Sequence, residues 1–377
     1  MLDLPFYHPS SPEPVTKILI LANSARMLAH AALQSGFTPL TIDLFEDRDT
    51  QQFALAHTKA ASLSVADIAG RVENFIRMYG IRYAVYGSGL ESFPETIDFL
   101  NEKLIVLGNS SVTFALCQSK AFFSILERLD IVYPPVSFSA PENPKIPWLE
   151  KDWQRQGGSG VRFYRREQAS LPHKAYWQHF IDGSSHSVLF LSNGKSAKIA
   201  GFNTQWHSKP EDKEACLAFG GVINHLECSR QIKLKLADIT IKLSLEFNLI
   251  GLNALDFIIF EDEILVLEIN ARPSFSMQLY SAPLFYWHTQ ACLGSLPDEL
   301  PIENEITGIQ LVYAQNDIHI GEHFEWPPES RDIPQPGSLI RTGQPICSIM
   351  ARAKTPPLVV LKLQLLQQFI VNQLQQK

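Results

Sequence analysis

The residues with the means to do chemistry gather in one stretch, positions 253–273, which reads NALDFIIFEDEILVLEINARP. Two apolar runs, residues 253–260 and 264–270, are separated by Glu261, Asp262 and Glu263. Runs so rich in β-branched and large apolar side chains form strands, and the acidic triplet forms a three-residue hairpin loop. Pairing Phe260 with Ile264 sets Asp256 directly opposite Glu268. Alternation along the strand then puts Asn270 on the same face. Facing residues have Cβ atoms roughly 5 Å apart, where like charges destabilise. Polar groups inside strands that are otherwise apolar on both sides need a partner, and a cation between the two carboxylates is the natural one.

Asp256, Glu268 and Asn270 offer only oxygen, which suits Mg2+ or Mn2+ rather than zinc. Magnesium held by few carboxylates takes its remaining ligands from water and substrate phosphates. Arg272, just before Pro273, adds a fixed cation at the strand exit. The competing reading is a hairpin whose acids turn to solvent. A slip of one residue would part the carboxylates onto opposite faces and dismantle the site.

Asp256 followed by Glu268-Ile269-Asn270-Ala271-Arg272-Pro273 resembles the D…ExNxR metal signature of the ATP-grasp ligases. The resemblance implies an α/β (α+β) fold, with an N-terminal open α/β domain ahead of an ATP-grasp core. It is strongest at the hairpin and spans roughly residues 16–293.

The elements that must serve the hairpin can be read upstream of it. Lys151 lies in WLEKDWQ and precedes Gly157-Gly158-Ser159-Gly160-Val161. Exposed backbone N–H groups beside a lysine are a physical recipe for covering phosphates. It is not a Walker loop, since no Gly-Lys-Ser/Thr enters a helix. Residues 111–129 read as one helix with Ser119-Lys120 inside it, and residues 175–181 as a strand leading to Asp182-Gly183. A further strand covers 187–191. The resemblance implies that Lys120, Lys151 and the loop Gly157, Gly158, Ser159 and Gly160 hold the triphosphate. It sets Gln178, Phe180 and Ile181 at the adenine and offers His186 for the ribose. The chain departs from the family pattern by carrying Gln178-His179 and then Asp182, which leaves the base and ribose contacts open by several positions. Solvated lysines and ordinary strand residues are the competing readings.

Residues 17–22 form a buried strand in the parallel-sheet style, and Ser24 caps a helix over 25–35 that Gly36 ends. Strands at 37–44 and 82–86, with helices at 68–79 and from Pro94, complete an open α/β unit. Its first turn, Asn23-Ser24-Ala25-Arg26, lacks the dinucleotide glycines. Gly87-Ser88-Gly89 either holds a substrate carboxylate or phosphate or serves turn geometry. In the family such a domain contributes to the acceptor side, and so does a segment like 200–230, here with Gln205-Trp206-His207 and Phe219-Gly220-Gly221. A helix over 231–247 leads into the hairpin. Strands at 306–314 and 346–351, Pro-Gly turns and an amphipathic helix over 358–374 form a small β-rich C-terminal appendage. The resulting division is 1–115, 116–190, 191–300 and 301–377.

Composition bounds these readings. The 377 residues are 45% hydrophobic and 19% charged, ordinary for a globular chain of two or three domains. A net charge of −7 argues against a nucleic-acid partner. No run reaches the roughly eighteen apolar residues of a membrane span. Five scattered cysteines with no CxxC suggest reduced thiols and a cytoplasmic setting. The resemblance implies the reaction: ATP and Mg2+ (or Mn2+) as cofactors, and a small-molecule carboxylate activated as an acyl phosphate and captured by an amine. Lys151 and Arg272 are then the catalytic cations, and a homodimer is the default assembly. Within the superfamily the chain looks closest to carboxylate–amine ligases of cofactor biosynthesis, such as the tyramine–glutamate ligases of the methanofuran pathway. Amino-acid or peptide ligases of other metabolism, and ATP-binding regulators without turnover, are the alternatives.

Overall fold

The apolar run after Thr16 buries as the central strand of a parallel sheet. This computed structural model describes residues 16–141, 146–153, 157–158, 160–166, 175–208 and 217–375. Strands β1 (Lys17–Leu21), β2 (Thr38–Asp43), β3 (Ala56–Lys59), β4 (Tyr83–Tyr86) and β5 (Ile105–Val106) lie in the order β3-β2-β1-β4-β5, all parallel. Helices α1 (Arg26–Gln34), α2 (Arg48–Phe53), α3 (Val65–Tyr79) and α4 (Glu95–Lys103) connect them. Strand order reverses between β1 and β4, where α/β sheets bind ligands, and the Gly87–Glu91 segment leaves β4 at that point.

Residues 111–129 form two helices, not one: α5 (Ser111–Cys117) and α6 (Lys120–Arg128). Ser119 between them is extended (φ −138°, ψ 166°), and its hydroxyl donates to the Leu116 carbonyl at 2.9 Å. Serine competes with the helical backbone in this way, so Lys120 opens a helix instead of lying within one.

Four strands make a small antiparallel sheet: β6 (Val136–Ser137), β7 (Trp148–Asp152), β8 (Val161–Phe163) and β9 (Ala175–His179), in the order β6-β9-β7-β8. The larger sheet has β10 (Ser184–Asn193), β11 (Ala197–His207), β12 (Phe219–Ile223), β13 (Ile250–Phe260), β14 (Glu263–Asn270) and β15 (Ile306–Tyr313). A two-stranded ribbon, β16 (Ile318–His319) with β18 (Leu339–Ile340), follows; β17 (Ser330–Arg331) and β19 (Pro345–Ala353) join the large sheet. That sheet has eight strands, ordered β14-β13-β10-β11-β12-β15-β19-β17. The C-terminal strands thus extend the sheet that carries the hairpin.

Helix α7 (Arg230–Glu246) packs on β10 and β11, α8 (Leu284–Cys292) on β13 and β10, and α9 (Pro356–Gln375) on β15 and β19. Leu189, Leu191, Leu252 and Ala254 share one buried cluster with α8 and α1, while Val188, Phe190 and Phe257 share another with α7. The large sheet is therefore covered on both faces along half its length. Among the described residues no helix is long and apolar enough to cross a membrane. Cys117, Cys228, Cys292 and Cys347 are free thiols.

Candidate active site

Asp256 and Glu268 face each other across β13 and β14, though the hairpin reaches that pairing by another route than loop length. The turn is tighter than the sequence suggests. Phe260 pairs with Glu263, leaving Glu261 and Asp262 as a two-residue turn with φ of 49° and 63°, as a type I′ hairpin requires. That register alone would set Asp256 against Leu267. A bulge between Asp256 and Phe257 skips Leu267, so Phe257 pairs with Val266 and Asp256 with Glu268. One extra residue on one strand flips the face of everything beyond it.

Asn270, Ser187 and Gln205 share the carboxylate face. Ser187 pairs with Asp256, Asn203 with Ser187, and Gln205 lies two residues further along β11. Gln205 Nε2 donates to Asp256 Oδ1 at 3.2 Å, and Asn270 Nδ2 donates to Asp256 Oδ2 at 3.0 Å. Burial, and then the Glu268 charge, push the Asp256 carboxyl up to about 7. Asn270 Oδ1 accepts from Arg272 Nη2 at 3.0 Å, and Arg272 Nε donates to Glu91 in the loop after β4.

The small sheet supplies the opposing side. Lys151 donates to Gln178 Oε1 at 3.2 Å, and its ammonium lies 5.7 Å from the centre of the Tyr176 ring. Burial works against the lysine charge, but Tyr176, Glu268 and Asp256 around it hold its pKa above the ordinary value. Lys151, on β7, therefore lies within electrostatic reach of both hairpin carboxylates. Gln178 is 2% exposed, and its Nε2 has no hydrogen-bond partner among the described residues. A buried orphan donor is rare and asks for an acceptor from outside.

The glycine loop leans on the large sheet. Gly157 and Gly158 have φ of 59° and 73°, and the Phe219 N–H donates to the Gly157 carbonyl at 2.9 Å. A Cβ on Gly158 would overlap the Leu217 carbonyl. Gly160 accepts from the Asp152 N–H at 2.9 Å, which fixes the loop to the end of β7. Ser159 lies outside the described residues. Phe180 and Ile181 fall on the connection from β9 to β10, with the Phe180 N–H spent on Pro147 at 2.9 Å and its ring 5.1 Å from that of Phe163.

Lys120, expected at the triphosphate, and His186, expected at the ribose, stand apart from the carboxylate pair. His186 pairs with Phe257, so it projects from the opposite face of the sheet. It hydrogen-bonds Ser184 at 2.6 Å and Thr204 at 3.2 Å, and burial lowers its pKa to about 4. It is a neutral core histidine, because strand alternation turned it away. Lys120 is exposed, 4.9 Å above the Phe138 ring, beside a cleft of about 440 Å³ lined by Phe123, Glu127 and Tyr133. Phe138 and Trp153 stack between it and Tyr176. Gln205 and Glu91 escaped the sequence reading. Gln205 was legible only as part of an unassigned polar segment, and Glu91 only as the end of a glycine turn.

Among the described residues no group of three or more His, Cys, Asp and Glu side chains gathers to hold a metal ion. The hairpin offers two carboxylates completed by amides instead. The two carboxylates are the oxygen ligands that suit a magnesium-type ion, while the Asn270 and Gln205 amide N–H groups are given to Asp256 and Asn270 Oδ1 to Arg272.

Residues 117–276 match the model of the ATP-grasp domain family. The biotin carboxylase domain of Hydrogenobacter thermophilus 2-oxoglutarate carboxylase, determined with MgADP, ADP and bicarbonate, superposes with a TM-score of 0.72 at 15% identity, covering 91% of this chain and 88% of that one. N5-carboxyaminoimidazole ribonucleotide synthetase from Thermotoga maritima gives 0.67 at 16% identity, covering 94% and 98%. Biotin carboxylase from Campylobacter jejuni gives 0.72 at 13%, covering 95% of each chain. At such identities the likeness establishes the fold. A comparison with curated protein sequences finds no match.

Proposed function

We propose that this chain, an ATP-grasp protein by its fold and by the domain over residues 117–276, is an ATP-dependent ligase joining a carboxylate to an amine. The observation that carries the proposal is the pairing of Asp256 with Glu268 across the bulge, with the Lys151 charge on β7 within electrostatic reach of both. Two paired carboxylates with a lysine charge near them are the parts needed to bind a metal-complexed triphosphate.

Asp256 and Glu268, with Asn270 beside them, would hold the magnesium. The ion would supply charge neutralisation at the phosphates. Lys151 would neutralise phosphate oxygens, with the Gly157, Gly158 and Gly160 amides close by. Gln178 Nε2, buried and without an acceptor among the described residues, would donate to the nucleotide. A substrate carboxylate oxygen attacks the γ-phosphorus and ADP leaves, giving an acyl phosphate. An amine nitrogen then attacks the acyl carbon, phosphate leaves, and the nitrogen gives up a proton. Arg272, whose planar fork suits phosphate oxygens, would bind the acyl phosphate. The glycine loop, resting on Phe219, would exclude the water that hydrolyses such intermediates. A place in cofactor assembly, with glutamate as the carboxylate, is supported by the sequence resemblance alone.

A thermal-shift series with Mg2+–ATP and a panel of amino acids and amines tests the reading, since a ligand of the native state raises the melting temperature. Phosphate release requiring both an acid and an amine, and a hydroxamate formed when hydroxylamine replaces the amine, are the expected results. Nucleotide binding without turnover across the whole panel would instead identify a regulator.

A further inference from the structure

The sequence singled out Gly87-Ser88-Gly89 as a place for a carboxylate, and the structure has a carboxylate there: the chain's own Glu91. Glu91 Oε2 accepts from the Gly89 N–H at 2.8 Å, and Oε1 accepts from Arg272 Nε. Gly89 has φ +117°, and a Cβ there would overlap Asn23 Oδ1 and Leu63 Cδ1, so only glycine turns this N–H onto the carboxylate. Ser88 meanwhile accepts from the Asn23 N–H at 2.7 Å, which ties the loop to the end of β1.

Glu91 is 7% exposed and Arg272 8%, so both charges are taken out of water. A buried ion pair adds little net stability over apolar side chains of the same volume, while losing one partner is costly. Its specific product is orientation. Arg272 Nη2 donates to Asn270 Oδ1 at 3.0 Å, and Asn270 Nδ2 donates to Asp256 Oδ2 at 3.0 Å. An unbroken chain of contacts therefore runs from the switch point of the parallel sheet, through Glu91, Arg272 and Asn270, to the carboxylate pair.

We infer that Glu91 is a positioning residue, which holds the Arg272 guanidinium in the orientation that binds the phosphate group of the acyl intermediate. The inference rests on the ligase reading but makes a separate demand. Arg272 alone does not form the phosphate subsite; the N-terminal domain completes it. Glu91 acts through Arg272, so its loss should matter only where Arg272 is present.

The test uses the full chain and inorganic phosphate as the probe. Melting temperatures are measured with MgADP, then with MgADP and a phosphate titration, for wild type, Glu91→Gln, Glu91→Asp, Arg272→Ala and the Glu91→Gln/Arg272→Ala double variant. Phosphate should raise the melting temperature of the MgADP-loaded wild type. In Glu91→Gln the half-saturating phosphate concentration should rise on the order of tenfold or more, the scale seen when an orienting partner is lost, with the MgADP response kept. Glu91→Asp should recover part of the effect, and the double variant should match Arg272→Ala. An intact phosphate response in Glu91→Gln overturns the inference, as does a double variant weaker than Arg272→Ala. A wild type that answers MgADP but not phosphate also overturns it and leaves the nucleotide reading standing. A wild type that ignores MgADP removes both.

Discussion

Asp256 stands opposite Glu268 because Leu267 stands opposite nothing. The two-residue turn at Glu261 and Asp262 counts the strands into one register, and the bulge changes it before the carboxylates are reached. Deleting Leu267 should therefore be tolerated. The strand closes into a regular ladder, Val266 stays on Phe257, Glu268 stays on Asp256, and each keeps its face. Inserting one alanine after Leu267 asks the hairpin to absorb a second extra residue or to turn Glu268 away. The MgATP-induced rise in melting temperature should survive the deletion and vanish in the insertion; the opposite ranking would remove the bulge from the account.

The same pairing sets a pH dependence. Burial and the Glu268 charge raise the Asp256 carboxyl from 3.8 to about 7. A carboxyl whose folded pKa lies above its unfolded value contributes stability at low pH and loses it as pH rises through the folded value. In metal-free protein the melting temperature should carry a downward component between about pH 4 and pH 7 from this group. Glu268→Gln removes the second-largest cause, so that component should shrink. Melting curves in EDTA across this range measure it, and parallel profiles for the two proteins would show that the carboxylates are not coupled.

The parts of this chain that follow local rules were legible. Residues 17–22 read as a buried parallel-style strand, and 17–21 form one; the facing of Asp256 and Glu268, read from an assumed Phe260–Ile264 pairing, is present although that pairing is not. Their route to that facing was not legible, since a bulge depends on how the turn and the far end of β14 are anchored in three dimensions. The face of His186 was not legible for a related reason: it is set by pairing with Phe257, 71 positions away in sequence, and nothing local distinguishes it from Ser187. Strands β11 and β12 escaped because glycines and polar residues interrupt their apolar pattern, and Gln205 was missed with them. Glu91 has meaning only once the parallel sheet brings its loop against the hairpin exit.

The two lysines should separate under mutation. Lys151 sits between Gln178, Tyr176 and the hairpin carboxylates, whereas Lys120 is exposed above Phe138. Lys151→Ala should weaken MgATP binding on the order of tenfold or more, about 1.4 kcal/mol or above, as expected for a charge-assisted contact to phosphate. Lys120→Ala should change it by less than about threefold, in keeping with a solvated charge. Calorimetric titration with MgATP decides between them. Equal losses would mean that the cleft closes far enough on binding to recruit Lys120 past the Phe138 and Trp153 stack.

The junction of α9 with the large sheet makes a prediction that does not depend on function. Gly308 pairs with Ile223 on β12 and with Ala351 on β19, and a Cβ on it would meet Val359 Cγ1 at 2.6 Å and Leu363 Cδ1 at 3.2 Å. Both leucine and valine are fully buried, so the helix lies directly on the glycine backbone with no slack. Gly308→Ala should destabilise by about 1–3 kcal/mol through overpacking. Val359→Ala alone should also destabilise, by opening a cavity. Combined, the methyl added at Gly308 takes up part of the space left by the two methyls removed from Val359, so the double variant should be more stable than the sum of the single losses implies. Denaturant unfolding of the four proteins measures the coupling, and strict additivity would mean that α9 shifts as a whole instead of resting on Gly308.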